Sequence, residues 1–369
     1  MTILLLILII GVLIFVHELG HFVVAKIFGI RVDEFGMGLP PRAVKIFSRK
    51  GTDYTLNWIP FGGFVKIYGE NALDETEKDD PDYEKSFVAK KWWQQIAVLI
   101  AGVTMNFLLA WGLFALVFMS GAPTVVSRAD HESVKDASFT VLQVVKDSPA
   151  DRAGLKSGEI ITQIETLNGV VSGTELHAES FVQSIRSTEG IAPVQISVMN
   201  LDQEVREVSI LPERKSSELP PMIGVSADYV GLYQEGFFQS IGSGLSQTVF
   251  VTKETSKAFV RLIGDAFQGQ ADMDNLTGPV GLVSVVGDAQ KVGFSYVLML
   301  AATISVNLAV LNLFPFPALD GGRIVMVIIE TITRRKIKPS IVQWVNGIGF
   351  LLLIGLMIII TVKDVIKLF

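Results

Sequence analysis

Apolar residues gather along the chain into four long stretches, and the segments between them change period. Residues 2–30 are apolar except for a polar cluster at positions 17–21 and Lys26, while residues 95–119, 296–319 and 341–362 carry no charged side chain. A helix that spans a bilayer needs about 20 apolar residues, and each stretch is long enough. The first differs from a secretory signal peptide: it lacks a basic start and a small-residue cleavage site, and its polar cluster sits inside the apolar run. The pattern therefore predicts four transmembrane helices. Elsewhere the period shortens to two. Phe139-Thr140-Val141-Leu142-Gln143-Val144-Val145 and Val194-Gln195-Ile196-Ser197-Val198 read as strands. Residues 35–68 read as strands with turns: Tyr54-Thr55-Leu56-Asn57-Trp58-Ile59 is aromatic and β-branched, and Pro60 with Gly62-Gly63 marks a turn. Residues 236–269 return to helical spacing through Phe237, Ile241, Leu245 and Val249. They form a helix either on the membrane surface or against the soluble domain.

The chain parses into a first membrane helix (1–30), a hairpin loop (31–93), a second helix (94–119), a soluble α+β domain (122–230), an amphipathic surface segment (231–295), a third helix (296–319) and a fourth (341–362). Residues 71–85 are charged and read as a solvated loop. Lys and Arg together number 10 between positions 31 and 93 and 5 between 320 and 340, against 13 in the far longer stretch from 120 to 295. Positive charge marks the cytoplasmic side. Both short loops are thus expected inside, with the soluble domain and both termini outside. The first loop also holds 11 acidic residues, and Lys363 and Lys367 lie at a terminus placed outside.

Composition narrows the chemistry. Half of the 369 residues are hydrophobic and 18% are charged, below the roughly 25% of soluble proteins. The net charge of −6 offers no basic surface to nucleic acid. With no cysteine, disulfides, thiolate metal sites and cysteine nucleophiles are excluded. Of the four histidines, two stand in the first apolar run, within His17-Glu18-Leu19-Gly20-His21. Positions i and i+4 share a helix face, so both imidazoles can reach one metal ion, with Glu18 placed to take a proton from a water. Three ionisable groups in one turn of a membrane helix would be costly without a function. From Thr2 to Glu18 a helix rises about 24 Å, which puts the cluster inside the bilayer toward the cytoplasmic face. His131 and His177 lie in the soluble domain and read as ordinary surface or hydrogen-bonded histidines. The third ligand of a catalytic zinc is then expected to be a carboxylate. Asp320 is the one at a helix end of matching depth. It follows Pro315 and Pro317, which forbid a regular helix, and precedes Gly321-Gly322.

Together, H-E-x-x-H in the first helix and Asn312-Leu313-Phe314-Pro315-Phe316-Pro317-Ala318-Leu319-Asp320-Gly321 in the third resemble the site-2 proteases, zinc intramembrane metalloproteases. Gly36-Met37-Gly38-Leu39-Pro40, Trp58-Ile59-Pro60-Phe61-Gly62-Gly63-Phe64-Val65-Lys66 and Thr277-Gly278-Pro279-Val280-Gly281 resemble segments of the bacterial regulator-of-sigma protease branch. The resemblance implies that His17, His21 and Asp320 bind zinc and that Glu18 is the general base. It also implies that Asn312 lies at the substrate cleft, with Gly62, Gly63, Pro315 and Pro317 as further substrate-binding positions. It favours a hairpin that dips into the bilayer and holds the substrate as an added strand. Ala101-Gly102-Val103-Thr104-Met105-Asn106 departs from the branch's A-G-P-x-x-N at Val103, a change expected to touch helix packing and not the metal site. Ser148-Pro149-Ala150-Asp151-Arg152-Ala153-Gly154-Leu155-Lys156-Ser157-Gly158-Glu159-Ile160-Ile161 resembles a bacterial PDZ domain, and there is room for one. Such a domain would read a trimmed substrate end or act as a size filter.

The activity implied is cleavage of single-span membrane proteins, such as anti-sigma factors or remnant signal peptides, in the bacterial inner membrane. A non-catalytic scaffold would have no use for Glu18. A metal transporter would carry ligands along several helices, and the second and fourth stretches have none.

Overall fold

The computed structural model describes residues 1–70, 80–125, 135–200, 203–214, 220–269 and 278–368. His131, Thr277 and most of the charged stretch 71–85 lie outside the described residues. Two compact units result. One holds residues 1–116, 238–290 and 297–369, and the other residues 117–237 and 291–296.

The first unit is helical. Its long helices are α1 (Thr2–Ile27), α2 (Trp92–Ser120, whose last turn belongs to the other unit), α5 (Phe237–Phe267), α7 (Phe294–Leu313) and α9 (Pro339–Leu368), with the shorter α6 (Pro279–Val292) and α8 (Asp320–Thr333). Four helices are long and apolar enough to cross a membrane: Thr2–Ile27, Trp92–Ser120, Phe294–Leu313 and Pro339–Ile366. Small side chains allow close helix approach, as lipid-embedded packing requires. α7 buries Ala301, Ala302, Ser305 and Ala309. A Cβ on Gly20 of α1 would lie 2.4 Å from the Ala101 carbonyl oxygen of α2. α9 leaves Phe350, Leu351, Leu352 and Ile359 exposed, a surface suited to lipid.

Two stretches run differently from the sequence expectation. The third apolar helix stops at Leu313, short of 319, because Pro315 and Pro317 cannot continue the hydrogen-bond ladder. After the break the chain resumes as a helix at Asp320, where a loop was expected. Residues 237–267 form one helix, α5, that packs within the helical unit. A Cβ on Gly244 would lie 2.7 Å from the Ala115 nitrogen, the Trp111 indole N–H donates to the Ile241 carbonyl at 2.9 Å, and the Thr255 hydroxyl donates to Asn307 Oδ1 on α7 at 2.9 Å. Its buried face carries Ser240 and Thr248, polar positions that apolar periodicity does not count.

Between α1 and α2 lies a sheet of two long strands, β1 (Val32–Arg49) and β2 (Thr52–Ile67), turning at Lys50-Gly51. Both strands fold back on themselves. Phe35 pairs with Val65 along one edge and with Tyr54 along the other, while Val44 and Lys45 pair with Leu56 and Thr55. β2 must therefore reverse between Ile59 and Gly63, where Gly62 takes φ +77°, a conformation glycine adopts without strain.

The second unit holds a seven-stranded sheet of β3 (Ala122–Val125), β4 (Lys135–Val144), β5 (Ile160–Thr166), β6 (Gly169–Ser172), β7 (Val194–Met199), β8 (Val205–Ile210) and β9 (Val225–Tyr233). The order is β3-β9-β4-β5-β7-β8, with β6 paired to β5. Strand alternation buries Val194, Ile196 and Val198 against Phe181 and Ile185 of α4 (Ala178–Ser187) in one core. Ser148 caps the short α3 (Pro149–Arg152) by accepting from the Asp151 N–H, and Gly154 and Gly158 turn the chain with φ +79° and +89°. His177 caps α4, its Nδ1 accepting from the Ser180 N–H at 3.1 Å. That is a structural role.

Candidate metal centre

The i, i+4 spacing on α1 puts His17 and His21 on one buried face, 7% and 6% exposed. Asp320, first residue of α8, reaches the same point from the far end of the chain. Its Oδ2 lies 3.0 Å from His17 Nε2 and 3.3 Å from His21 Nε2, and the two Nε2 atoms are 3.2 Å apart. Among the described residues these three form the one group of His, Asp or Glu side chains whose donor atoms lie within 4.8 Å of one another.

The break after α7 delivers Asp320. Ala318 sits at φ +71°, and its N–H donates to Asn346 Oδ1 of α9 at 3.2 Å. Gly321 and Gly322 then let α8 start against the break itself. A Cβ on Gly321 would lie 2.2 Å from the Phe314 carbonyl oxygen, and one on Gly322 would lie 2.2 Å from that of Phe316. Arg323, one turn on, donates to the side chain and the backbone carbonyl of Glu70, which ties α8 to the end of the β1–β2 sheet.

Three features of the protein fit a metal at this point. Two imidazoles and one carboxylate make a donor set suited to zinc, with room for a fourth ligand. His21 Nδ1 lies 2.7 Å from the Val98 carbonyl oxygen, which accepts a hydrogen bond from Nδ1–H and leaves the Nε2 lone pair free. Gly102 keeps space open: a Cβ there would lie 2.6 Å from His21 Nε2 and 2.8 Å from His17 Nε2. The Ala101–Asn106 stretch thus reaches the histidines directly, through Gly102 and through Asn106, whose Nδ2 lies 3.3 Å from His17 Nδ1. Val103 itself faces a cavity instead.

Glu18 is half-buried beside the cluster, and its Oε2 accepts from the Val65 N–H of β2 at 3.2 Å. Gly62 and Gly63 press on α1 one turn earlier: a Cβ on Gly62 would lie 2.9 Å from Ile14 Cδ1, and one on Gly63 would lie 3.5 Å from Phe15 Cα. Asn312 lies half-buried in the last turn of α7, and no hydrogen bond joins it to the cluster among the described residues. Pro315 lines an apolar cavity of about 430 Å³ between α2, α5 and α7, with Val103, Phe107, Phe259 and Val310 on its other walls. Pro317 meets α9, where a Cβ on Gly349 would lie 2.5 Å from its Cβ. The contributions of Val98, Gly102, Asn106 and Val65 were not visible in the sequence as parts of the site. Only the A-G-x-x-x-N pattern hinted at two of them.

The sequence profile of peptidase family M50 matches residues 5–356. The chain belongs to this family, the site-2 proteases. A relative in Clostridium acetobutylicum, provisionally named a zinc metalloprotease, is 34% identical over 356 residues, 96% of this chain and 95% of its own. A Clostridium perfringens relative with the same provisional naming is also 34% identical, over 358 residues, with 96% and 95% covered. The zinc metalloprotease RasP of Geobacillus kaustophilus is 28% identical over 437 residues, covering 97% of this chain and 96% of RasP. As an M50 peptidase the chain is a zinc-dependent metalloprotease, and its four apolar helices make it a membrane protein.

Proposed function

We propose that this M50 peptidase cuts the transmembrane segments of single-span membrane proteins, with His17, His21 and Asp320 holding the zinc and Glu18 as general base. The observation that carries the reading is the convergence within 4.8 Å of two Nε2 atoms, from a helix otherwise apolar enough to span a bilayer, and one carboxylate oxygen from the start of α8. When bound, zinc polarises a carbonyl and acidifies water. Glu18 takes up the water proton and passes it to the leaving amine. The Val65 N–H holds the Glu18 carboxylate in place. A substrate helix must unwind to expose its scissile carbonyl. The apolar cavity reaching Pro315 supports a place for its side chains, and Asn312, Gly62, Gly63, Pro315 and Pro317 are the proposed substrate contacts. A β1–β2 sheet dipping into the membrane would supply a strand edge.

In this reading the protein sits in a bacterial inner membrane, with the seven-stranded domain and both termini outside the cytoplasm. It acts in regulated intramembrane proteolysis on anti-sigma factors or remnant signal peptides. The seven-stranded domain works as a PDZ module, in line with its Ser148–Ile161 motif. The test is cleavage of tagged single-span candidates in membranes by wild type and Glu18→Gln, with zinc content measured in His17→Ala, His21→Ala and Asp320→Ala. Loss of cleavage in Glu18→Gln and of zinc in the three ligand variants is expected. Full zinc in Asp320→Ala would remove Asp320 from the ligand set.

A further inference from the structure

Resting on that ligand set, we infer that Asn106 is a positioning residue for the zinc: it orients His17 by accepting a hydrogen bond from the imidazole Nδ1–H through its side-chain oxygen. Neutral imidazole has one N–H and one lone pair. His17 turns Nε2 toward Asp320 Oδ2 and His21 Nε2, at 3.0 and 3.2 Å, so its metal-binding lone pair belongs on Nε2 and its proton on Nδ1. The atom facing Nδ1, at 3.3 Å, is the Asn106 amide nitrogen. That sets two donors against each other. At the same time Asn106 Oδ1 is fully buried and has no hydrogen-bond partner, although a buried amide oxygen normally finds one. Exchanging the amide oxygen and nitrogen, which are nearly the same shape, removes the donor–donor clash and gives the oxygen a partner, with Nδ2 moving to the buried position that Oδ1 leaves. Oδ1 then accepts from His17 Nδ1–H.

The result matches the other histidine. His21 Nδ1 faces the Val98 carbonyl at 2.7 Å, so each imidazole is held by an oxygen of α2, one from the backbone and one from a side chain. Asn106 is itself pinned. It is completely buried, and its backbone carbonyl accepts from the Ser305 hydroxyl of α7 at 2.8 Å. A fixed acceptor raises ligand basicity and prevents the ring from turning, and its loss commonly weakens metal binding about 10–100-fold.

The experiment measures zinc affinity by competition with a chelator in the purified full-length chain, with helix content and thermal unfolding of the metal-free form as folding controls. Asn106→Leu keeps the volume and removes the acceptor. Its zinc affinity is expected to fall about 10–100-fold. Asn106→Asp keeps an acceptor and removes the donor, and its affinity is expected to stay within a few-fold of wild type. In cobalt-substituted protein, the visible spectrum of Asn106→Leu should change while that of Asn106→Asp stays close to wild type. Wild-type affinity in Asn106→Leu overturns the inference. So does an Asn106→Asp that loses zinc as severely as His17→Ala, which would mean that His17 needs a donor; this variant decides the matter even if Asn106→Leu fails to fold. His17→Ala separates the two levels of argument. If it retains zinc, the ligand set is wrong. If it loses zinc and Asn106→Leu does not, only the role of Asn106 falls.

Discussion

A single methyl group at position 102 would stand where the two histidines converge, 2.6 Å from His21 Nε2 and 2.8 Å from His17 Nε2. Neither imidazole can give way, since His21 is tied to the Val98 carbonyl and both rings are buried. Gly102→Ala is therefore expected to lower zinc occupancy sharply while leaving helix content unchanged, read by metal analysis and circular dichroism. Full occupancy would show that α2 can retreat from α1 at this level. Glu18 is expected to behave differently, because it stands outside the proposed ligand set. Glu18→Gln should keep its zinc and lose cleavage by roughly 10²–10⁴-fold, the usual contribution of a general base. A variant that retains more than about a tenth of the rate would point to another base. The histidines and Glu18 were readable because helical spacing puts i and i+4 together. Gly102 and the Val98 carbonyl were not, since a glycine announces no chemistry and every residue has a carbonyl. Their parts exist only once α2 lies against α1.

At the scale of elements, the break between α7 and α8 decides whether Asp320 arrives. Two prolines stop α7, and two glycines allow α8 to begin against the carbonyls of Phe314 and Phe316. In Gly322→Ala the new methyl would sit 2.2 Å from a backbone oxygen. The break must then shift and carry Asp320 with it, so zinc binding should weaken although no ligand has changed; unaltered affinity would mean the break is pliable. A second junction is purely structural. Asp364 of α9 accepts from the Gly281 N–H at 2.8 Å in the first turn of α6, and a Cβ on Gly278 would meet its Oδ2 at 2.8 Å. Asp364→Ala removes this cap and is expected to cost about 0.5–2 kcal/mol, seen as a lower unfolding temperature with zinc affinity unchanged. Prolines and paired glycines made the first junction legible. The second depends on a carboxylate 83 residues away in sequence, and nothing local announced it. The packing partners of α5 were illegible for a related reason: its contacts run through Thr255, the Ile241 carbonyl and Gly244, which hydrophobic spacing does not count.

For the whole molecule, all of the proposed ligands and the proposed base belong to the helical unit, and residues 117–237 contribute none of them. Removing residues 122–230 should therefore leave the chemistry intact and relax selection, so that substrates with bulky outer domains are cut as readily as trimmed ones. The assay compares full-length and trimmed substrate with both enzyme forms. A folded, zinc-loaded deletion that cuts neither would make the seven-stranded domain part of the catalytic assembly. The four membrane helices were legible because lipid demands long apolar runs. The doubled-back pairing of β1 and β2 was only half legible, since the sequence marked the reversal near Gly62 but not the shared use of Phe35 by two segments.

His17 and Asp320 are 303 residues apart in the chain, and this separation governs timing during biosynthesis. A ribosome working at about 5–20 residues per second needs roughly 15–60 s to travel from one to the other. Throughout that interval the nascent chain holds two of the three proposed donors, His17 and His21. On the proposed ligand set, hydrolytic competence waits until Asp320 has been made and folded into place, so a chain terminated before that point is expected to bind zinc weakly and cut nothing.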